Sequence, residues 1–256
     1  MNFNTLQISN PDPHILMITL HRPEVRNAIS SEMMKELLAL WEDVNLNNKW
    51  RCIILTGTDP AFCAGADLKE RKDLSLETWK AQHLILVKAM KAMLQCSVPI
   101  ISAVNGVAFG GGLELVLASD FAYAATNATF AQSEVKIGLI PGAFGTQHLP
   151  RAAGLARAKE CIFTGKSFTA IEALKWGIIN KVSEPNALIE DVLNTAKIIA
   201  ENAPIAIRAA KKSLNATTFS HYDKELENYY RALETKDRAE GVLAFNEKRK
   251  PIFVGE

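Results

Sequence analysis

Three short apolar runs stand out along the chain: residues 14–21 (HILMITLH), 52–56 (CIILT) and 99–104 (PIISAV). Each is rich in β-branched residues and bounded by turn or polar positions, which predicts buried strands. Between them the apolar spacing changes to threes and fours. Met33, Leu37, Leu40 and Val44 predict a helix capped by Ser30 or Ser31 and running to about residue 45, and a second helix is expected over about 76–94. The third run leads through NGVAFGGG into a short helix at about 112–117. Short strands follow at 121–124 and 129–131, then a turn at Ile140-Pro141-Gly142. From about residue 143 helices dominate: one begins at Thr169 and ends near Gly177, and others cover 186–201, 221–235 and 238–248. Pro204 opens a further one as a first-turn proline.

Strands alternating with helices predict an α/β fold around a buried sheet. The concentration of helices at the end predicts a core over 1–200 followed by a helical region over 201–256, with no Pro-, Gly- or Ser-rich linker and no internal repeat. The 256 residues are 48% apolar, enough for a large core and incompatible with intrinsic disorder.

Lys+Arg number 29 and Asp+Glu 28, so no bulk positive field exists to hold a nucleic acid. Lys35, Lys88 and Lys91 share their helices with Glu32, Glu36, Glu42 and Glu77 and read as solvated surface. Cys52, Cys63, Cys96 and Cys161 show no CxxC spacing and read as reduced core thiols. With no secretory pattern in MNFNTLQISN, the expected location is cytoplasmic. Residues 92–113 carry no charge, but Gln95, Ser97, Pro99, Ser102, Asn105 and four glycines interrupt them, so no membrane span is expected.

Familiar chemical motifs fail one by one. There is no HExxH, no Cys/His cluster and no GxSxG, so neither a metal site nor a serine nucleophile is expected. Gly165-Lys166-Ser167 has Cys161 where a phosphate loop needs glycine, and Gly110-Gly111-Gly112 misses the GxGxxG spacing. What remains is FGGGLELVLASD over 109–120, where three glycines lead from a strand into a helix carrying Glu114. Free N–H groups at a helix start suit an anion, and glycine lets it approach closely. A tight turn with a solvated glutamate would look the same, but Leu113, Leu115, Val116, Leu117 and Ala118 leave Glu114 no polar face. Burial raises a carboxyl pKa towards the range useful for proton transfer. Glu134, twenty residues on, ends an apolar strand and is a candidate partner. CAGADLKE over 63–70 is a second small-residue loop after a strand, able to offer another N–H.

These segments together resemble the crotonase, or enoyl-CoA hydratase/isomerase, superfamily. The resemblance rests on HRPEVRNAIS (21–30), AFCAGADLKE (61–70), PIISAVNGVAFGGGLEL (99–115), FAQSEVKIGLIPGAFGTQHLPR (130–151) and AFNEKRKP (244–251), in order and spanning nearly the whole chain. It implies a crotonase fold of stacked ββα units with a C-terminal helical trimerisation region, in a trimer or a hexamer of two trimers. It also implies an acyl-CoA substrate and no separate cofactor, coenzyme A being part of the substrate. The N–H groups of Ala66 and Gly111 would form the oxyanion hole, and Glu114 and Glu134 match the two hydratase glutamates. Through their backbone groups Ala64, Ala66, Asp67 and Leu68 would hold the adenine, with Arg26 beside the CoA moiety, Gly110 at the glycine turn, and Phe245 and Lys248 as CoA contacts, often from a neighbouring subunit.

Having both glutamates points to hydration of a 2-enoyl-CoA thioester rather than double-bond isomerisation. The ending ETKDRAEGVLAFNEKRKPIFVGE, with CAGADLKER and GGGLELVLASD, resembles most the methylglutaconyl-CoA hydratase branch, implying a short or branched enoyl-CoA. That branch includes a member with affinity for RNA, an alternative the charge balance disfavours. Ser133 stands where relatives often have proline. Phe144 replaces a glycine and is expected to narrow the acyl pocket or the water site.

Overall fold

The computed structural model describes residues 3–47, 49–215 and 222–253. In chain order its elements are β1 (Leu6–Asp12), β2 (Ile15–Leu20), α1 (Ser31–Leu46), β3 (Cys52–Gly57), β4 (Ala61–Cys63), α2 (Leu68–Arg71), α3 (Leu76–Leu94), β5 (Ile100–Val104), β6 (Val107–Phe109) and α4 (Gly111–Ala118). Then follow β7 (Phe121–Ala125), β8 (Thr129–Ala131), a 3-10 turn (Glu134–Ile137), α5 (Gly145–Ala153), α6 (Leu155–Thr164), β9 (Phe168–Thr169) and α7 (Ala170–Lys175). The chain ends with β10 (Lys181–Ser183), α8 (Leu188–Glu201), α9 (Pro204–Asn215), α10 (Tyr222–Leu233) and α11 (Lys236–Glu247). The predicted helix start at residue 221 lies outside the described residues.

Among the described residues the strands form two sheets, one ordered β1-β2-β3-β5-β7-β10 and a smaller one ordered β4-β6-β8-β9. Three consecutive strand pairs, β3/β4, β5/β6 and β7/β8, each place the first strand in the large sheet and the second in the small one. The first two pairs each lead into a helix. This is the stacked ββα architecture implied by the resemblance. Within the large sheet β2, β3, β5, β7 and β10 run parallel, and β1 closes its edge as an antiparallel hairpin with β2.

Both faces of the large sheet are covered, and alternation along each strand divides the side chains between them. Leu16, Ile18, Ile53, Leu55 and Ile100 join α1 and α3 in the main core. Ile15, Cys52, Ile54, Ile101 and Ala103 meet Leu188, Val192, Ala196 and Ala200 of α8 on the other side. Strands buried on both faces read as unbroken apolar runs, which is why β3 and β5 were predictable. β4 and β6 span three residues each, too short to show a period, so they form strands where the sequence pattern predicts a loop and a glycine turn.

The C-terminal helices fold back over their own chain. Tyr229 and Leu233 of α10 and Val242 of α11 form a third apolar cluster with Trp79 of α3 and Leu139. Gly241 lets α11 approach the 3-10 turn, since a Cβ there would lie 2.5 Å from the carbonyl carbon of Ile137. No described helix is long and apolar enough to cross a membrane, and residues 92–113 run from the end of α3 through β5 and β6 into α4. All four cysteines are buried and unpaired.

Because Leu233 is completely buried where α10 meets the core, we expect Leu233→Ala to cost about 2–5 kcal/mol of unfolding free energy. Chemical denaturation measures this directly.

Candidate active site

The two small-residue loops predicted from sequence come together at the ends of the small-sheet strands. Gly112 sits so close to the loop after β4 that a Cβ on it would lie 2.2 Å from the Cys63 carbonyl oxygen, and one on Gly65 would lie 2.8 Å from that of Phe109. No larger residue permits these approaches. The Gly65 carbonyl accepts from Ile29 N–H and Asp67 N–H donates to the Ile29 carbonyl, so the intervening Ala66 N–H stays outside this bridge. Gly111 is the first residue of α4, and a first-turn N–H has no partner within its helix. Gly110, at φ 51°, turns the chain into α4 and donates its own N–H to the Ala131 carbonyl at 2.8 Å.

Glu114, one turn into α4, is 3% exposed. Its Oε1 accepts two backbone hydrogen bonds of 2.8 Å, from Ala143 N–H and Gly145 N–H at the start of α5. Gly145 must be glycine, because a Cβ there would lie 2.9 Å from that oxygen. Glu134 opens the 3-10 turn after β8 and packs against Gly110, whose added Cβ would stand 3.2 Å from its Oε1. That oxygen accepts from Gln132 Nε2 at 2.8 Å, while Glu134 Oε2 is enclosed without a protein partner.

A third carboxylate, unforeseen from sequence, comes from α10. Glu225, 2% exposed, accepts from Phe144 N–H, from Thr146 N–H at 2.8 Å and from the Thr146 hydroxyl. Its spacing with Tyr229 and Leu233, at i, i+4 and i+8, put it on the apolar stripe of its helix and was the available signal. Gln132, with no charge and no periodicity to mark it, had none.

Burial pushes all three carboxyl groups above their ordinary range. For Glu114 the two N–H donors oppose the desolvation; for Glu134 the Glu114 carboxylate adds to it, as it does for Glu225. Close like charges cannot all ionise near neutral pH, so the cluster holds protons as a set. Two donors on one oxygen at a helix N-terminus favour the charged form at Glu114. One amide donor and a partnerless oxygen leave Glu134 the better place for a proton.

Ala64, Ala66, Leu68, Gly110, Gly111, Glu114 and Glu134 all line one cavity of about 240 Å³, together with the buried Arg71, His83, Leu86 and Tyr229. Phe245 lines it too, from the same chain, and is 54% exposed. Arg26, Asp67, Lys248 and Phe144 are not among the residues that line it. Arg26 is exposed and touches the site only through its carbonyl, which accepts from Ala64 N–H at 3.0 Å. Asp67 caps α2 and pairs with Arg22 at 3.0 Å, so its carboxylate is occupied, while the expected adenine contact of this loop is a backbone one. Lys248 ends α11 in the left-handed region and is exposed. Phe144 was expected to narrow the pocket, yet its side chain is wholly buried in the main core and does not line the cavity. Its left-handed φ of 76° is what turns successive N–H groups toward Glu114 and Glu225.

His148 is buried in the core region with its pKa pushed down to about 4 by desolvation, and His21 meets the Thr58 hydroxyl. Both read as structural.

The enoyl-CoA hydratase/isomerase family model matches residues 12–256. The chain is 39% identical over 241 residues to a mitochondrial enoyl-CoA hydratase of Pongo abelii, covering 93% of this chain and 82% of that protein. It is 34% identical to a short-chain-enoyl-CoA hydratase of Clostridium acetobutylicum, covering 92% of each. A crystal structure of an enoyl-CoA hydratase from Bacillus anthracis superposes with a TM-score of 0.82 at 38% identity, over 99% of this chain and 100% of that one.

A carboxyl whose folded pKa is raised binds more protons in the folded than in the unfolded state, so its contribution to stability falls as pH rises from 4.5 through neutrality. We therefore expect Glu134→Gln to melt at a higher temperature than wild type at pH 8, with the gap closing at pH 5. Thermal scans across that range measure it.

Proposed function

The chain belongs to the enoyl-CoA hydratase/isomerase family, and from that premise we propose that it adds water reversibly across the 2,3 double bond of a 2-enoyl-CoA thioester. The observation that carries this reading is the pair Glu114 and Glu134, two buried carboxyl groups of raised pKa lining one cavity beside two free-ended loops. Addition of water to an enoyl thioester drives negative charge onto the thioester oxygen. Ala66 N–H and Gly111 N–H, preorganised by glycine-dependent packing, would receive that charge, one such donor typically contributing about 10²- to 10³-fold in rate.

The hydrating water then lies between the two glutamates. Glu114, whose donors favour the carboxylate, takes a proton from the water as its oxygen bonds to Cβ. Glu134, the better proton holder, delivers one to Cα. The pair exchanges these roles in dehydration, and one shared proton is the state that both directions require. Acid, base and oxyanion donors all come from the chain, so the reaction so proposed uses no metal and no cofactor beyond the CoA carried by the substrate. Phe245 at the mouth would flank that CoA.

The working form is proposed to be a homo-oligomer, a trimer or two stacked trimers. Supporting this, α9 buries none of its side chains and exposes Ile205 and Leu214, while Leu155 and Phe163 of α6 and Ile171 of α7 are also exposed. Apolar side chains in such number favour a protein-covered surface.

Purified protein should hydrate crotonyl-CoA with loss of the conjugated thioester absorbance, and inactivity across straight and branched 2-enoyl-CoAs would overturn the reading. We expect Glu114→Gln and Glu134→Gln each to lower kcat by about 10²- to 10⁴-fold while acyl-CoA binding, followed by calorimetry, persists. Light scattering should give a mass three or six times 28.1 kDa.

A further inference from the structure

His83 lines the same cavity as Glu114, and a histidine so placed would ordinarily be read as a proton carrier. Its surroundings exclude that role. Nε2 lies 2.8 Å from the Gly142 carbonyl oxygen, which can only accept, so this nitrogen carries the proton. Burial pushes the ring's pKa down to about 4, and the Arg71 charge from α2 acts in the same direction. The imidazole is therefore neutral, and its bare Nδ1 accepts from the Tyr230 hydroxyl at 3.3 Å. Both nitrogens are committed within the protein.

The ring is also held in place. Tyr229 stacks on it with ring centres 3.8 Å apart and planes 15° from parallel, and Tyr230 meets it edge-on at 5.5 Å. Tyr229 is fixed in turn through its hydroxyl, which accepts from Trp79 Nε1 at 3.0 Å and is hydrogen-bonded to the Arg71 side chain. Gly142 supplies the space for this stack: a Cβ there would lie 2.5 Å from the Tyr229 ring and 2.8 Å from His83 Nε2.

The Gly142 carbonyl belongs to the peptide group whose N–H is that of Ala143, the amide that donates to Glu114 Oε1 at 2.8 Å. One rigid plane accepts from His83 on one edge and donates to Glu114 on the other. Fixing the carbonyl fixes the direction of the N–H, and a donor on the carbonyl oxygen polarises the amide and strengthens its own hydrogen bond. Glu225 secures the rest of the loop by accepting from Phe144 N–H and Thr146 N–H.

We propose that His83 is a positioning residue for the hydration reaction, acting on the base Glu114 through the Gly142–Ala143 peptide and never touching the transferred proton. The inference rests on the hydratase reading of the same site. Without the imidazole the peptide is free to rotate, Glu114 keeps only its Gly145 donor at full strength, and its carboxylate becomes harder to ionise. The titratable and charged groups around the pair are Glu134 of the 3-10 turn, Glu225, Tyr229 and Tyr230 of α10, and Arg71 of α2. A substitution at residue 83 alters none of them and removes no charge. Water entering the vacated space would ease ionisation of Glu114, so the two effects differ in sign.

The test has two readouts. Hydration of crotonyl-CoA gives the pH dependence of kcat/KM, whose acidic limb follows ionisation of the base, and a carbon-13 titration of the Glu114 carboxyl follows the same group without turnover. In His83→Leu we expect both to move up by about one pH unit, with kcat lowered about ten- to a hundred-fold at neutral pH. His83→Gln, whose amide can reach the Gly142 carbonyl, should restore both. Nitrogen-15 spectra of the wild type should show His83 neutral and protonated at Nε2 at about pH 5.5 and above. An unmoved or lowered Glu114 titration in folded His83→Leu overturns the inference, as does a shift in His83→Gln as large as that in His83→Leu. A proton on Nδ1 in the wild type overturns it even if neither variant folds. A wild type inactive on 2-enoyl-CoAs overturns the hydratase reading, and the Glu114 titrations then decide the coupling alone.

Discussion

Four successive backbone N–H groups, from Ala143 to Thr146, are divided between two buried carboxylates: Glu114 takes the first and third, Glu225 the second and fourth. The left-handed Phe144 makes this possible by turning neighbouring amides in different directions at the start of α5. Without those donors, two carboxyl groups could not be enclosed beside a third, and the site would open to water or shed its charge. Much of the surrounding sequence serves this arrangement. Gly145 leaves space for the Glu114 oxygen, Gly110 for the Glu134 carboxylate, and α10 is pinned by Leu233 and Tyr229 so that Glu225 arrives at the loop.

Seen from this constraint, the C-terminal helices are part of the catalytic region. α10 supplies a carboxylate to the loop that holds Glu114, α11 packs on the 3-10 turn that begins with Glu134, and Phe245 borders the cavity mouth. The raised pKa values follow from the same enclosure. They lower stability at neutral pH and keep a proton available at the reacting centre, a cost concentrated where the chemistry is.

Most of the fold was legible because its strands are buried on both faces and its long helices keep a regular apolar stripe; β3, β5, α1 and α3 announce themselves in this way. Most of the small sheet, β8 excepted, was not, since β4, β6 and β9 are two or three residues long and are positioned by contacts with other units rather than by local pattern. In the site, Glu114 was readable from its apolar neighbours and the glycines before it, and Glu134 from its place after a strand. Phe144 misled because sequence neighbourhood does not reveal direction: its side chain turns into the core. Arg71 and His83 come from α2 and α3, meet only in three dimensions, and left no trace in spacing.

The claim on which the account depends is that these carboxyl groups are enclosed and share protons near neutral pH. The direct measurement is a carbon-13 NMR titration of the glutamate side-chain carboxyls in the free protein, with Glu114, Glu134 and Glu225 assigned by single Gln substitutions. The account requires these three to titrate well above the remaining glutamates, with the Glu134 signal moving when Glu114 is substituted. Three independent titrations in the ordinary carboxylate range would contradict it.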